Sequence, residues 1–213
     1  MKKERNLLVV VDMVNGFINE GNLADKSINR ITNNVVSLVE DAIQNGVNIV
    51  AFKDTHTEND VEFNSFPPHC IKGTNECELI PELKIYEDFM YVIEKPTTNG
   101  FETDKFKNLM KCVKFDNIYV CGCCTDICVN NFVNSLNNYI LKNYLKTNII
   151  VVQDAVDTFN AKNHNADEVN NKYLTEMNCS GISITEYNDK LFQEKEEEDF
   201  SDEEYLEELA IDY

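Results

Sequence analysis

The sequence has 213 residues, of which 43% are hydrophobic, and it contains eight cysteines and no tryptophan. This length fits one packed domain, and the hydrophobic content excludes a wholly disordered chain. The formal net charge is −19. An acidic surface repels the phosphate backbone, so nucleic acid is not an expected partner.

The negative charge is concentrated at the carboxyl end, where residues 194–213 hold eleven acidic residues and one lysine. Runs of like charge are usually solvated and unfolded. We therefore expect a folded domain over residues 1–193 and an acidic tail over 194–213. The alternative is a tail that binds a partner, with Leu206, Leu209 and Ile211 on a short docking helix.

Apolar runs in this sequence are too short for membrane insertion or secretion. None approaches the roughly 20 residues that a membrane-spanning helix needs. The basic amino end precedes only Leu7–Val11, which Asp12 ends, whereas a secretion signal needs a longer apolar region. We expect a cytoplasmic protein with no membrane partner.

The clustered cysteines of such a protein are expected to be reduced thiols. A structural zinc ribbon needs two Cys-x-x-Cys pairs, and only Cys121–Cys124 has that spacing.

Short apolar runs alternate with longer amphipathic stretches along the chain. The runs are continuously apolar, which is typical of strands buried in a parallel sheet. Alternation of strands and helices predicts an α/β fold in which helices cover both faces of one sheet. The predicted strands are Leu7–Val11, Val47–Phe52, Tyr91–Ile93, Ile118–Val120, Ile149–Val152 and Ile182–Ile184.

The intervening stretches predict helices at four places. Apolar residues recur at helical spacing from Ile31 to Ile43, with Ser27 as the expected cap and Gly46 as the expected stop. Further helices are expected over residues 104–112, 129–140 and, more weakly, 165–177. By contrast, Thr55–Leu83 contains three prolines and no clear period, and such an excursion is usually functional or disordered.

Reactive side chains follow four of the predicted strands. Asp12 closes the first, Asp54 and His56 follow the second, Lys95 follows the third, and a cysteine cluster ends the fourth. Ligands of open α/β sheets bind beyond the carboxyl ends of the strands. We therefore expect these side chains to form one site.

Cys128 is the candidate nucleophile of that site. It lies near the start of a predicted helix, where free N–H groups and the helix dipole stabilise an anion. A buried Asp12 with a raised pKa would accept its proton, and Lys95 would stabilise both anions. Thr125 and Asp126 are expected helix caps. The simpler alternatives are a buried structural cysteine, a hydrogen-bonding loop aspartate and a surface lysine.

A metal site is expected from Asp54, His56 and His69. Residues i and i+2 of an extended segment project to the same side, so Asp54 and His56 can share an ion. Two prolines precede His69 and stiffen its approach. Two histidines and a carboxylate suit zinc, iron or manganese, and Glu62 is a plausible fourth ligand.

Together these residues resemble the isochorismatase-like cysteine hydrolases, and within them the nicotinamidase branch. The resemblance runs from about Leu7 to Ile184, so it assigns the expected folded domain over residues 1–193 to this hydrolase family. The stretches that carry it are LLVVVDMVNGF, DTHTENDVEFNSFPPHCIKGTNECELIPEL, EKPTTNGF and VCGCCTDICV. It implies a Rossmann-like three-layer α/β/α sandwich with a six-stranded parallel sheet, and it implies a homo-oligomer.

The resemblance also implies a role for each site residue. Cys128 matches the nucleophile, Asp12 the general base and Lys95 the third catalytic residue. The metal ligands match Asp54, His56 and His69, with Glu62 as a fourth. A cis peptide at Cys123–Cys124 would shape an oxyanion hole from the N–H groups of Cys124 and Cys128. The pocket positions are Phe17 and Phe66, which match residues that sandwich a pyridine ring, and Thr98, where the family often has an aromatic residue.

The expected reaction is hydrolysis of nicotinamide to nicotinate and ammonia through a cysteine thioester, a step of NAD salvage. It would use a divalent metal ion, with zinc expected first. The open alternatives are another small amide, a carbamoyl or vinyl-ether substrate, a redox protein using Cys121 and Cys124, and a zinc-stabilised binding module without catalysis.

Overall fold

The computed structural model describes residues 4–193, and its core is one six-stranded sheet. Every neighbouring pair of strands is parallel, in the order β3-β2-β1-β4-β5-β6. The predicted α/β fold with a parallel sheet is therefore confirmed. The strands are β1 (Asn6–Val11), β2 (Asn48–Asp54), β3 (Tyr91–Lys95), β4 (Asn117–Cys123), β5 (Asn148–Asp157) and β6 (Ser183–Thr185).

Helices cover both faces of the sheet and give three layers. One face packs against buried side chains of α2, and the other packs against those of α4, α5 and α6. Within residues 4–193, no helix combines the length and apolar character needed to cross a membrane. The helices are α1 (Asn15–Ile18), α2 (Thr32–Gln44), α3 (Pro81–Lys84), α4 (Asp104–Cys112), α5 (Asn130–Lys142) and α6 (Ala166–Cys179).

The start of α2 differs from the expectation. Ser27 does not cap it, because a 3-10 helix over Lys26–Ile31 precedes α2 and takes Ser27 into its first turn. The cap of that 3-10 helix is Asp25, whose carboxylate accepts a hydrogen bond from Ser27 N at 2.8 Å. The polar residue two positions earlier therefore supplies the capping oxygen.

The chain reverses its direction across the sheet between β1 and β4. The first three strands run outward from β1 to one edge, and the chain then returns to place β4 on the other side of β1. In doubly wound folds, such a reversal opens a crevice at the carboxyl ends of the two central strands. Asp12 follows β1 there, and Cys124 and Cys128 follow β4.

Gly122 lets these two central strands come close together. Its φ is +111°, and a Cβ at this position would lie 2.0 Å from the carbonyl oxygen of Val11. Only glycine fits this backbone and this contact. The turn that follows β4 is thereby held against the end of β1.

The segment Thr55–Leu83 is largely irregular, as predicted, with 3-10 turns at Val61–Asn64 and Asn75–Cys77 before α3 begins at Pro81. It lies at the carboxyl end of β2 and carries His56 and His69. The acidic tail over 194–213 and its docking-helix alternative lie outside the described residues.

Candidate active site

Lys95 lies at the centre of a buried charged cluster. Its Nζ lies 2.7 Å from Asp12 Oδ2 and donates a 3.9 Å hydrogen bond to Cys128 Sγ. The three side chains come from the ends of β1 and β3 and from the turn after β4. Asp12 and Lys95 are fully buried, and Cys128 is 5% exposed. The structure therefore brings together the acid, the ammonium group and the thiol that the sequence indicated.

Asp12 combines an ion pair with a free oxygen. Its φ of 50° is in the left-handed region, which aspartate tolerates better than most residues. Within the described part of the chain, Oδ1 has no hydrogen-bond partner. Burial raises the pKa of Asp12 to about 6, although the nearby Lys95 ammonium opposes the rise. The carboxylate is thus ionised at neutral pH and still basic enough to take a proton.

The thiol of Cys128 needs such a base. Burial raises the pKa of Cys128 well above its usual value, and Lys95 only partly offsets this effect. The sulfur is consequently protonated at neutral pH. Burial alone would lower the pKa of Lys95, but the carboxylates of Asp12 and Asp54 raise it well above its usual value. A permanent positive charge therefore faces both groups.

Asp54 joins this cluster to the two histidines. Its Oδ1 accepts a hydrogen bond from Lys95 Nζ at 2.9 Å, while Oδ2 lies 2.9 Å from His56 Nε2 and 3.1 Å from His69 Nε2. Burial opposes ionisation of Asp54, but Lys95 and the histidines outweigh it and lower its pKa. Asp54 is therefore an anion shared by two neighbouring groups.

The histidine side of this group fits a divalent metal ion. Candidate ligand atoms of Asp54, His56 and His69 all lie within 4.8 Å of one another, and all three residues are buried. His69 Nδ1 lies 2.8 Å from the carbonyl oxygen of Pro67, so donation from Nδ1 leaves the Nε2 lone pair free for a ligand bond. Two imidazoles and a carboxylate are suitable donors for zinc, iron or manganese.

Glu62 is near this group but not part of it. It lines the same cavity as Asp54 and His69, and the group of potential metal ligands comprises Asp54, His56 and His69 without it. Burial and the charge of Asp54 raise the pKa of Glu62. Its assignment as a fourth ligand stays a prediction.

A cavity of about 560 Å³ opens over the cluster. Asp54, His69 and Cys128 line its inner part. The pocket positions expected from the sequence, Phe17, Phe66 and Thr98, also line it. Further lining residues come from the segment before α2, the irregular segment after β2, the turn that carries Cys128 and the loop after β5: Asn22, Leu23, Ala24, Asp25, Glu62, Cys124, Ile127, Phe159 and Asn160.

The nucleophile turn, residues 124–129, differs in part from the expectation. The Cys123–Cys124 peptide bond is cis, and Thr125–Val129 form a π-helical turn before α5. Thr125 and Asp126 were predicted as caps, but neither caps this turn, which begins after Cys124 without a side-chain hydrogen bond. Asp126 binds the loop after β5 instead, where Thr158 Oγ1 donates to its Oδ1 at 2.6 Å.

Comparison with known proteins identifies the family. The isochorismatase domain matches residues 6–176, which is most of the chain. The chain belongs to the isochorismatase family. This result confirms the resemblance seen in the sequence motifs.

Similar proteins of the isochorismatase family include nicotinamidases. Nicotinamidase 1 of Arabidopsis thaliana is 38% identical over 141 residues, which cover 59% of this chain and 57% of that protein, so the chain spans little more than half of that relative. The crystal structure of nicotinamidase PncA from Bacillus subtilis is 27% identical, with a TM-score of 0.73, and covers 85% of this chain and 99% of its own. The crystal structure of the pyrazinamidase of Pyrococcus horikoshii in complex with zinc is 27% identical, with a TM-score of 0.68, and covers 86% of this chain and 99% of its own.

Sequence reasoning missed one wall of this isochorismatase-family cavity. Phe159 and Asn160 follow β5, so the rule that found the other groups also applies to them. The expected strand, however, ended at Val152, whereas β5 continues to Asp157. Two polar residues, Gln153 and Asp154, interrupt its apolar run and hide the true end of the strand.

All eight cysteines of this family member are free thiols, and none is joined in a disulfide. Cys121 is fully buried, and burial raises its pKa. A disulfide-exchange role needs an accessible thiolate, so the geometry argues against the redox alternative for Cys121 and Cys124.

Proposed function

We propose that this protein is a nicotinamidase, which hydrolyses nicotinamide to nicotinate and ammonia through a thioester on Cys128. The observation that carries the proposal is the placement of Lys95 Nζ 2.7 Å from the Asp12 carboxylate and 3.9 Å from the Cys128 sulfur. The adjacent group of Asp54, His56 and His69 and the likeness to nicotinamidases support the choice of substrate.

The first half of the reaction forms the thioester. Asp12 takes the proton of the Cys128 thiol, and the sulfur attacks the amide carbon. The C–S bond forms as the carbonyl π electrons move to oxygen, where the N–H groups of Cys124 and Cys128 act as the oxyanion hole. When the tetrahedral intermediate collapses, the C–N bond breaks and Asp12 returns its proton to the departing nitrogen, which leaves as ammonia.

The second half releases the acid. Asp12 takes a proton from a water molecule, whose oxygen attacks the thioester carbon. The C–S bond then breaks, and the sulfur recovers the proton from Asp12 to regenerate the thiol. Lys95 keeps its proton throughout, because its raised pKa makes it a fixed positive charge beside both anions.

The cavity walls and the metal-ligand residues orient the substrate. Phe17 and Phe66 pack against the faces of the pyridine ring, and Thr98 lines the same cavity. Asp54, His56 and His69, with Glu62 as a fourth ligand, would hold the metal ion, for which we propose zinc. Such an ion supplies a Lewis-acid site for a heteroatom of the substrate.

Ammonia release from a panel of small amides tests the proposal. The purified protein should release ammonia from nicotinamide faster than from N-carbamoyl amino acids, and it should not cleave a vinyl ether. Hydroxylamine added during turnover should yield the hydroxamate of nicotinate, because it intercepts the thioester. Preferred turnover of a carbamoyl substrate would assign the protein to another branch of the family.

Elemental analysis of the same protein identifies the metal, with iron and manganese as the alternatives to zinc.

A further inference from the structure

The loop that follows β5 is fastened to the nucleophile turn by Asp126. Thr158 Oγ1 donates to Asp126 Oδ1 at 2.6 Å, and His164 Nε2 lies 2.9 Å from Asp126 Oδ2. Both carboxylate oxygens are therefore used to hold this loop. Asp126 lies two residues before Cys128, so the loop is fixed relative to the nucleophile.

The same loop makes a turn that brings His164 against the ring of Phe159. The rings of Phe159 and His164 stack with centroids 4.0 Å apart and planes within 2° of parallel. His164 Nδ1 also lies 2.9 Å from the carbonyl oxygen of Phe159. Ala161 and His164 exchange two backbone hydrogen bonds at 2.8 and 3.0 Å, which close the turn between them. These contacts leave Phe159 little freedom to move.

Phe159 packs against the edge of the core and also borders the cavity. It lines the cavity together with Cys128, Phe17 and Phe66, and it is half-buried. One of its faces is covered by His164. An aromatic ring that is held by stacking and lines the same cavity as the reacting thiol is pre-organised to contact a flat apolar substrate.

Building on the proposed function, we propose that Phe159 contacts the substrate ring and determines specificity for aromatic amides. Asp126 and His164 are then positioning residues, which act on the substrate only through Phe159. The loop after β5 thus adds a wall to the pocket beyond the positions that the family motifs indicate.

The variant Phe159→Leu tests the contact. It should raise the KM for nicotinamide about tenfold and change kcat by less than about threefold, because the ring contact is lost while the catalytic cluster is intact. The matched control is Phe89→Leu, since Phe89 is 62% exposed and does not line this cavity. An unchanged KM in Phe159→Leu would overturn the proposal.

A double-mutant cycle tests the positioning role. His164→Ala should raise KM as Phe159→Leu does, and the double variant should be no worse than Phe159→Leu alone, because His164 acts through the ring that is already missing. Additive effects, about a hundredfold in the double variant, would show that His164 acts independently and would overturn this role. Asp126→Asn provides the same cycle if His164→Ala does not fold.

Alkylation of Cys128 separates this inference from the proposed function, because it needs no turnover. Benzyl bromide and iodoacetamide are compared by mass spectrometry of the Cys128 peptide. Phe159→Leu should lower the ratio of the benzyl bromide rate to the iodoacetamide rate about tenfold, because only the aromatic reagent contacts the Phe159 ring. A wild-type protein that fails to hydrolyse nicotinamide would refute the proposed function, whereas an unchanged ratio would refute the role of Phe159.

Discussion

The cavity has two unlike walls. The strand-end wall presents Asp54 and Cys128 to the cavity, and the fully buried Asp12 and Lys95 support them from the protein side; the exposed fractions of these four residues range from 0% to 5%. The loop wall is formed by the segment before α2, the irregular segment after β2 and the loop after β5. It carries mainly apolar and amide side chains, among them Phe66 and Phe159.

The difference between the two walls separates chemistry from selection. Groups on strand ends are held by a hydrogen-bonded sheet and by burial, so their mutual distances vary little. Groups on loops border open space and can change without disturbing the sheet. We therefore infer that the strand-end wall performs the reaction and that the loop wall chooses the substrate.

The largest expected effect is that of Cys128→Ala on the strand-end wall. Removing the sulfur removes the covalent route, so kcat should fall by at least about a thousandfold, while the free energy of unfolding stays near that of the wild type. Cys179→Ala is the control, because Cys179 is exposed and outside the site. Retention of most of the activity in Cys128→Ala would mean that no thioester forms.

Lys95→Met should lower both activity and stability. The substitution leaves the buried carboxylates of Asp12 and Asp54 without their cation, and such a loss costs about 3–5 kcal/mol in the free energy of unfolding. Lys107→Met is the control, because Lys107 and its partner Glu102 are both partly exposed, and it should cost about 1 kcal/mol or less. Chemical denaturation measures both values. Equal losses of unfolding free energy in the two variants would contradict a larger stabilising role for the buried ion pairs of Lys95.

His69→Ala tests the junction of the two walls. It removes one of three ligand donors, so the bound metal should fall well below one equivalent per chain after dialysis, as measured by elemental analysis. His164→Ala is the matched histidine control and should keep the wild-type metal content. An unchanged metal content in His69→Ala would place the ion elsewhere.

The smallest effect concerns pH. Asp12 must be ionised to accept a proton, and burial raises its pKa to about 6. The value of kcat/KM should therefore be level at neutral pH and fall about tenfold per pH unit below about 6. Metal content and circular dichroism at each pH exclude metal loss and unfolding as the cause. A level profile down to pH 4.5 would rule out Asp12 as the base.

The sequence predicted the strand-end wall better than the loop wall. Asp12, Asp54 and Lys95 each follow a continuous apolar run, and parallel strands bring such ends to one edge. The donor pattern of the metal segment added Glu62, and the motif resemblance added the pocket positions Phe17, Phe66 and Thr98. Their placement around one cavity agrees with the geometry, and their roles stay predictions.

Long-range pairings could not be predicted in the same way. Asp126 has the local pattern of a cap, but its partners Thr158 and His164 lie more than thirty residues away in the sequence. No periodicity encodes such a contact, because it depends on which loops the finished sheet brings together. Ser27 was misplaced for a related reason, since a short 3-10 helix shifted the point at which the main helix begins.

Asp54 gives the site an engineering constraint. One of its oxygens holds Lys95, and the other faces both histidines. A designer who wishes to change metal preference would therefore have to keep position 54 fixed and vary positions 56, 62 and 69. A substitution at Asp54 would also change the position of Lys95 beside Cys128. The metal ligands and the nucleophile are therefore coupled through this one residue.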